Sequence, residues 1–265
     1  MHPVLIDIGA LQIRSYGFML ALSFLIGIWV AGRRAKRFGI EPQYILDLSV
    51  YIILSAVVGS RLLYVVFHLE EFDSPVEIFA LWRGGATFYG GMLLAILVSW
   101  IYLRRKRIDF LRVADVMAPS IGLGLLFTRV GCFLSGCCYG KPTEHAIGVF
   151  FPPDSPAGNS AAREAIALGI AQVALHPTQM YAAAYGLIIF VVLLALQPKL
   201  MQRGAMFGAL LVLYGVARFV VDFYRYYEEN ARVLAGLTFN QVISVVLFFL
   251  GLWLVFRRDR SSAAE

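Results

Sequence analysis

About seven stretches of almost unbroken apolar sequence run through this chain, each near the length that crosses a bilayer, and they leave it few possible folds. They cover approximately residues 15–32, 48–67, 86–103, 113–127, 181–196, 205–221 and 239–256. A hydrocarbon core needs roughly 20 mostly apolar residues per helix. With 60% hydrophobic and only 15% charged residues among 265, the chain is too apolar for an ordinary soluble domain. The expected fold is all-α and polytopic, a single membrane domain over residues 1–265 without internal repeats or low-complexity tracts. No basic segment precedes the first span and no small-residue cleavage site follows it, so that span reads as a retained helix.

The basic residues of the short loops set the orientation, because lysine and arginine are retained on the cytoplasmic side. Arg33, Arg34, Lys36, Arg37, Arg104, Arg105, Lys106, Arg107, Arg112, Lys199, Arg203, Arg257, Arg258 and Arg260 fall on one side, fourteen in all. The other side carries six, Arg14, Arg83, Lys141, Arg163, Arg225 and Arg232, mixed with Glu70, Glu71, Asp73, Glu228 and Glu229. The N-terminus is expected outside and the C-terminus inside. The net charge of +6 therefore comes from loops facing an anionic leaflet, which argues against a nucleic-acid partner. The longest polar excursion, residues 141–176, is expected to form a small outer cap with a short helix near 160–170. Trp82 and the cluster of Tyr224, Tyr226 and Tyr227 suit interfacial anchors, and for the tyrosines an aromatic belt is the simplest account.

Three arginines lie inside or at the margin of the apolar stretches: Arg61, Arg129 and Arg218. Each sits toward the C-terminal end of a span that runs outward, so all three are expected at one depth near the outer leaflet. A lone arginine there can snorkel to the headgroups. A charge nearer the bilayer centre costs about 2.5–3.5 kcal/mol on insertion scales, and three such costs at one depth point to a shared anion site. Guanidinium binds phosphate in a planar, bidentate manner, so the expected ligand is an outer-leaflet phospholipid headgroup. Asp222, four residues after Arg218 and on the same helical face, would hold that arginine, and Tyr214 precedes it at the same spacing.

Arg129 opens the segment that holds every cysteine of the chain, Cys132, Cys137 and Cys138. Outside the membrane a bridge from Cys132 to Cys137 or Cys138 could staple this loop. The spacing lacks the paired C-x-x-C pattern of zinc ligands even with His145 added, so no metal site and no cofactor are expected. A nucleophilic cysteine would need a base brought close by the fold, His145 or His176. Tyr89 opens the third span; a phenol of pKa about 10 is a poor base near neutrality unless an arginine adjoins it. Gly90 and Gly91 would allow close approach of backbone or lipid.

Taken in order, Arg14-Ser15-Tyr16-Gly17, Gly59-Ser60-Arg61, Phe88-Tyr89-Gly90-Gly91, Arg129-Val130-Gly131 through Gly140, His176-Pro177-Thr178-Gln179-Met180-Tyr181 and Tyr214-Gly215-Val216-Ala217-Arg218 through Asp222 form a recognisable set. Over essentially its whole length the chain resembles the prolipoprotein diacylglyceryl transferases, bacterial inner-membrane enzymes of lipoprotein maturation. The resemblance implies transfer of the diacylglyceryl group of phosphatidylglycerol to the lipobox cysteine of a prolipoprotein signal peptide, with release of glycerol phosphate. It assigns phosphatidylglycerol binding to Arg129, an essential role to Arg218, and site positions to Tyr16, Tyr214 and Gly140.

The chain departs from that pattern where the chemistry is densest. The family commonly reads Phe-His-Gly-Gly, with the histidine proposed as base, where this chain has Tyr89. Cys132, Ser135 and Cys137 stand where the family commonly has two asparagines and a glutamate, and Asp222 replaces a glutamate. The residues expected to carry catalysis are Arg129 and Arg218, with Tyr89 or His176 assisting the thiol; Arg61, Tyr16, Gly90, Gly140, Tyr214 and Asp222 complete the expected lipid site. Two other readings stay open: a member that binds phosphatidylglycerol with lost or altered chemistry, and a membrane thiol-redox protein using the three cysteines.

Overall fold

A computed structural model describes residues 2–9, 11–72, 74, 77–78, 85, 87–200, 202–227, 232–234 and 236–257. Trp82 lies outside the described residues, as do Asp73, Arg83, Glu228, Glu229, Arg258 and Arg260. Two short strands, β1 (Val4–Ile8) and β2 (Leu11–Arg14), pair antiparallel ahead of helix α1 (Ser15–Ala35). Helices α2 (Pro42–Phe67), α3 (Phe88–Arg105), α4 (Phe110–Leu134), α5 (Pro156–Leu168), α6 (Thr178–Leu196) and α7 (Ala205–Asp222) follow. A second small hairpin, β3 (Arg232–Leu234) with β4 (Leu237–Thr238), leads into α8 (Phe239–Phe256).

Among the described residues six helices are long and apolar enough to cross a membrane: α1 with its one-turn extension to Phe38, α2, α4, α6, α7 and α8. The remaining expected span, α3, is a helix of 18 residues that carries Arg104 and Arg105 within its own last turn. Leu25, Leu54, Leu62, Leu93, Phe249 and Trp253 point outward and stay exposed, as they must where the solvent is hydrocarbon.

The helix ends obey capping chemistry more closely than hydropathy. The fourth apolar stretch ends at the polar pair Thr128-Arg129, yet α4 continues to Leu134 and stops only before Gly136, whose φ of 65° ends it in the left-handed region. The cap helix α5 starts at Pro156 rather than near residue 160, because Ser155 accepts from Gly158 N–H as N-cap and proline suits the first turn. Gly169, with φ 67°, closes it. Its apolar side builds a small core of Phe151, Ala157, Ala161, Ala165, Val173 and Leu175.

The chain divides into two compact units, with the divisions in sequence falling within α1 and within α4. In the unit of residues 31–113, α2 packs on α3 with Gly59 and Gly90 back to back, where a Cβ on either glycine would lie against the other's carbonyl oxygen. The unit of residues 1–30 and 114–265 repeats the device between α7 and α8: a Cβ on Gly251 would meet Gly208 O at 2.6 Å, and one on Gly208 would meet Gly251 O at 2.8 Å. Small residues allow such approach, which supplies packing where lipid removes any hydrophobic drive between helices. The same unit holds a buried apolar cluster of Ala118, Ala182, Tyr185, Ile189, Leu193, Met206, Ala209 and Leu210, contributed by α4, α6 and α7.

Overpacking the α7–α8 crossing with Gly251→Ala is expected to lower the unfolding free energy by about 1–3 kcal/mol. A Cβ on Gly32 meets nothing within 4 Å, so Gly32→Ala should leave stability unchanged or raise it by about 0.4–1 kcal/mol. Thermal unfolding of the two purified variants in detergent reads the difference in sign.

Candidate active site

Beyond Arg129, α4 makes one more turn, which sets Arg129 and Cys132 three residues apart on one helical face. The chain then leaves the helix through Gly136 and is fastened from several directions. Gly136 O accepts from Ala157 N–H at 2.9 Å. Gln179 Nε2 donates to Cys137 O at 2.8 Å and Thr178 Oγ1 to Cys138 O at 2.9 Å, both from the first turn of α6 and both side chains buried. Gly140 N–H donates to His176 O at 2.9 Å, and Lys141 N–H to Tyr224 O at 2.8 Å. Gly140 is required by this clamp, since a Cβ there would lie 2.6 Å from both His176 Cβ and Tyr224 O.

Arg218 is buried, and its partners are close. Its Nη2 lies 2.9 Å from Asp222 Oδ1 and donates to Tyr227 Oη, also at 2.9 Å. Tyr227 Oη donates to Asp222 Oδ1 at 2.5 Å and accepts from Asn240 Nδ2 at 2.9 Å, while the hydroxyl of Thr238, which also caps α8, donates to Asp222 Oδ2. Burial, and then the bond to Asp222, push the Tyr227 phenol above its ordinary pKa, so it remains a donor. Tyr227 is thus part of the arginine's support, a correction to the aromatic-belt expectation. Tyr226 stacks on Tyr139 with centroids 5.6 Å apart, and Tyr224 meets the His176 ring edge-on at 5.2 Å.

Arg129 is held differently. Its Nε is buried with no hydrogen-bond partner among the described residues, and the buried Tyr185 hydroxyl is in the same state. Tyr185 and Tyr214, in edge contact at 6.2 Å, lie within electrostatic reach of both Arg129 and Arg218. Tyr16 couples to Arg129 and to the three thiols. An orphaned buried donor costs about 1–3 kcal/mol, and here one such group belongs to Arg129 itself and the other, the Tyr185 hydroxyl, lies within electrostatic reach of Arg129 and Arg218.

Arg61 belongs to the other unit and is buried with its donors engaged. Nε donates to Ile78 O at 2.8 Å, Nη2 to Glu77 O at 2.8 Å and Nη1 to Gly85 O at 3.0 Å, so this guanidinium ties down the loop between α2 and α3. Gly90 meets the α2 backbone in the same unit, and Tyr89 contacts Phe88 edge-on at 5.7 Å.

All three cysteines are free thiols, and their sulfur atoms lie within 4.8 Å of one another. Cys138 holds a left-handed φ of 62°, rare for a residue with a side chain. Hydrogen bonds from Cys132 and Cys137 hold the Cys138 thiol well below its ordinary value, and Arg225 and Arg129 add to this against the cost of burial. Cys137 is pushed the other way, by its hydrogen bonds with Cys132 and Cys138. His176 Nδ1 lies 3.0 Å from Tyr181 Oη, and burial, with His145 adding to it, lowers its pKa, so the ring is neutral at pH 7.

Sequence reasoning missed Tyr185, Thr238 and Asn240, read Tyr227 only as an interfacial anchor, and quoted Thr178 and Gln179 in a motif without giving them a role. Tyr185 left a local signal, a tyrosine four residues after Tyr181 in a span otherwise almost wholly apolar.

The arrangement of paired cations beside a fastened glycine-rich turn, in a bundle of membrane-length helices, has relatives along the whole chain. The family model described as prolipoprotein diacylglyceryl transferase matches residues 3–257. A phosphatidylglycerol--prolipoprotein diacylglyceryl transferase of Nitratidesulfovibrio vulgaris (strain DP4) is 35% identical over 262 residues, covering 96% of this chain and 94% of that protein. One from Clostridium tetani (strain Massachusetts / E88) is 32% identical over 260 residues and 98% of each chain. One from Xanthomonas euvesicatoria pv. vesicatoria (strain 85-10) is 36% identical over 280 residues, 100% of this chain and 94% of the other. With a family match spanning nearly its full length and relatives above 30% identity, the chain belongs to the prolipoprotein diacylglyceryl transferase family.

Proposed function

We infer that this chain is a multi-pass enzyme of the bacterial inner membrane that transfers the diacylglyceryl group of phosphatidylglycerol to the lipobox cysteine thiol of a prolipoprotein, releasing glycerol phosphate. Family membership supports the reaction. The observation that carries the site is the buried Nε of Arg129, which has no hydrogen-bond partner among the described residues, with the Tyr185 hydroxyl in the same state and within electrostatic reach of it. Both donors suit phosphate oxygens, and a guanidinium not already paired to a carboxylate is the stronger phosphate ligand.

The chemistry asks for little more than electrostatics and a deprotonated thiol. The sulfur attacks the diacylglyceryl carbon, the bond from that carbon to the phosphate oxygen breaks, and the charge accumulates on the departing phosphate. Preorganised cations stabilise such charge most effectively when water is excluded. Arg129 meets the phosphate directly. Arg218, fixed by Asp222 and Tyr227, supplies a second positive charge whose position does not change during the reaction. Tyr214 and Tyr185 lie within electrostatic reach of both cations. His176, neutral and oriented by Tyr181, is suited to receive the thiol proton. The basic loops support an N-terminus in the periplasm and a C-terminus in the cytoplasm, so the site opens toward the outer leaflet.

Purified protein incubated with phosphatidylglycerol and a lipobox peptide should yield the thioether product, read by mass. Binding of the lipid without product would instead mark a family member with lost chemistry. Arg129→Ala is expected to reduce transfer by about 100-fold or more, the scale on which a preorganised oxyanion donor acts, and Arg129→Lys should not restore it; full transfer by Arg129→Ala would remove that residue from the site. Tyr227→Phe removes the hydroxyl's bonds to Arg218, Asp222 and Asn240, of which the two to charged groups are worth about 1.5–3 kcal/mol each. It should lower kcat by roughly 10-fold or more with little change in lipid KM, while Asp222→Ala, which strands a buried cation, should also destabilise the protein by about 3–5 kcal/mol.

A further inference from the structure

The three thiols are separated along the chain in a way that suggests no metal site, and the fold changes that. Cys132 sits in the last turn of α4 and Cys137 and Cys138 in the turn beyond it, and the reversal at Gly136 brings all three sulfur atoms within 4.8 Å of one another. Tetrahedral zinc with bonds of about 2.3 Å to sulfur needs sulfur–sulfur edges of roughly 3.8 Å, so small side-chain rotations close the set. The Cys137 and Cys138 carbonyls are held by the buried Gln179 and Thr178 side chains, a support of the kind that orients metal ligands from behind. The left-handed backbone at Cys138 is a local strain of the sort found at ligand clamps. Arg129 and Arg225 stand within electrostatic reach of the thiols and offset the negative charge that three thiolates bring.

We propose that Cys132, Cys137 and Cys138 bind one zinc ion through their sulfur atoms and leave its fourth position open for the thiol of the prolipoprotein cysteine. Three protein ligands with one exchangeable position is the arrangement of catalytic zinc, and zinc is redox-inert and accepts thiolate readily. A coordinated thiol is deprotonated outright. The step balances without an oxidant or reductant: the substrate S–H proton leaves to water as the zinc–sulfur bond forms. The zinc-bound thiolate then attacks the diacylglyceryl carbon, the carbon–oxygen bond to phosphate breaks, and glycerol phosphate departs. The product thioether, a far weaker ligand than thiolate, leaves the metal. This assignment rests on the transferase reading and deepens it, because it supplies thiol activation at positions where the family pattern has asparagine and glutamate and this chain has cysteine. Arg129, on the same face of α4 as Cys132, would then present the phosphate to a nucleophile generated beside it.

The test uses the full chain purified in detergent without chelator. Elemental analysis should find about one zinc per chain, absent from the Cys132→Ser, Cys137→Ser, Cys138→Ser triple variant. The single Cys137→Ser variant and chelation of the unaltered protein give the same reading if the triple variant fails to fold. With cobalt in place of zinc, a lipobox peptide should change the cobalt–thiolate absorption, whereas the same peptide with serine for cysteine should not. Removing the metal should lower transfer on the order of 100-fold, the scale of lost proton removal, and added zinc should restore it. Full transfer by metal-free protein would overturn the zinc assignment and leave the transferase reading intact, and so would a disulfide between any two of the three cysteines in active protein. Cobalt bound with a peptide response but no thioether product would uphold the thiol-binding metal site and sink the transferase reading.

Discussion

A guanidinium in an apolar helix must find partners for its charge and its five N–H donors, and the way each of three arginines meets that demand organises this protein. Arg61 meets it with the carbonyls of Glu77, Ile78 and Gly85, which makes it the fastening of a loop. Arg218 meets it with Asp222 and Tyr227, which makes it a fixed charge. Arg129 has a buried Nε without a hydrogen-bond partner among the described residues, which is why it is the arginine proposed to take an anionic ligand. An anion that replaces water there gains an interaction the protein does not make for itself, while breaking a buried pair such as Arg218–Asp222 would cost several kcal/mol. On the proposed reading, ligand binding and rigidity belong to different cations.

The turn after α4 carries this division into the rest of the unit. Its backbone is clamped by the His176 and Tyr224 segments, and its carbonyls by Thr178 and Gln179. The C-terminal end of α7 leads directly into Tyr224 and Tyr227, one a partner of the turn and the other of Arg218. Any displacement of α7 therefore moves the fixed cation and the thiol-bearing turn together. The Gly208–Gly251 crossing that seats α7 on α8 contributes to the site in this indirect way, as does Thr238, which caps α8 and bonds Asp222.

Much of the fold was legible because the constraint is one-dimensional: a helix crossing hydrocarbon needs a run of apolar residues, and the runs for α7 and α8 were placed to within a residue at each end. The beginning of α2 and the end of α4 were not, since hydropathy marks where a helix leaves lipid whereas Gly136 and Pro42 mark where the backbone changes course. In the site, Arg218 and Asp222 were readable as a spacing of four. Tyr227 was not, because its link to Arg218 crosses a turn, and Asn240 and Thr238 arrive from a different helix and hairpin. The convergence of the cysteines was hidden for the same reason: sequence spacing describes ligands on one strand or helix, not sulfurs meeting across a left-handed turn.

The substituted signature alters the electrostatics around Arg129 in a definite direction. Where the family pattern has a glutamate, this chain has Cys137, which removes a fixed negative charge from the neighbourhood of the guanidinium. A carboxylate there would compete with lipid phosphate for the same donors, and in a low-dielectric setting that competition would be strong. Hydrogen bonds with Cys132 and Cys138 push the Cys137 thiol above its ordinary value, and a thiol carries no fixed charge of the carboxylate kind. Hydrogen bonds from Cys132 and Cys137 pull Cys138 the other way, below its ordinary value, with Arg225 and Arg129 adding to the shift. On the proposed reading, in which Arg129 receives the lipid phosphate, the exchange of carboxylate for thiol leaves more of the Arg129 charge to that phosphate.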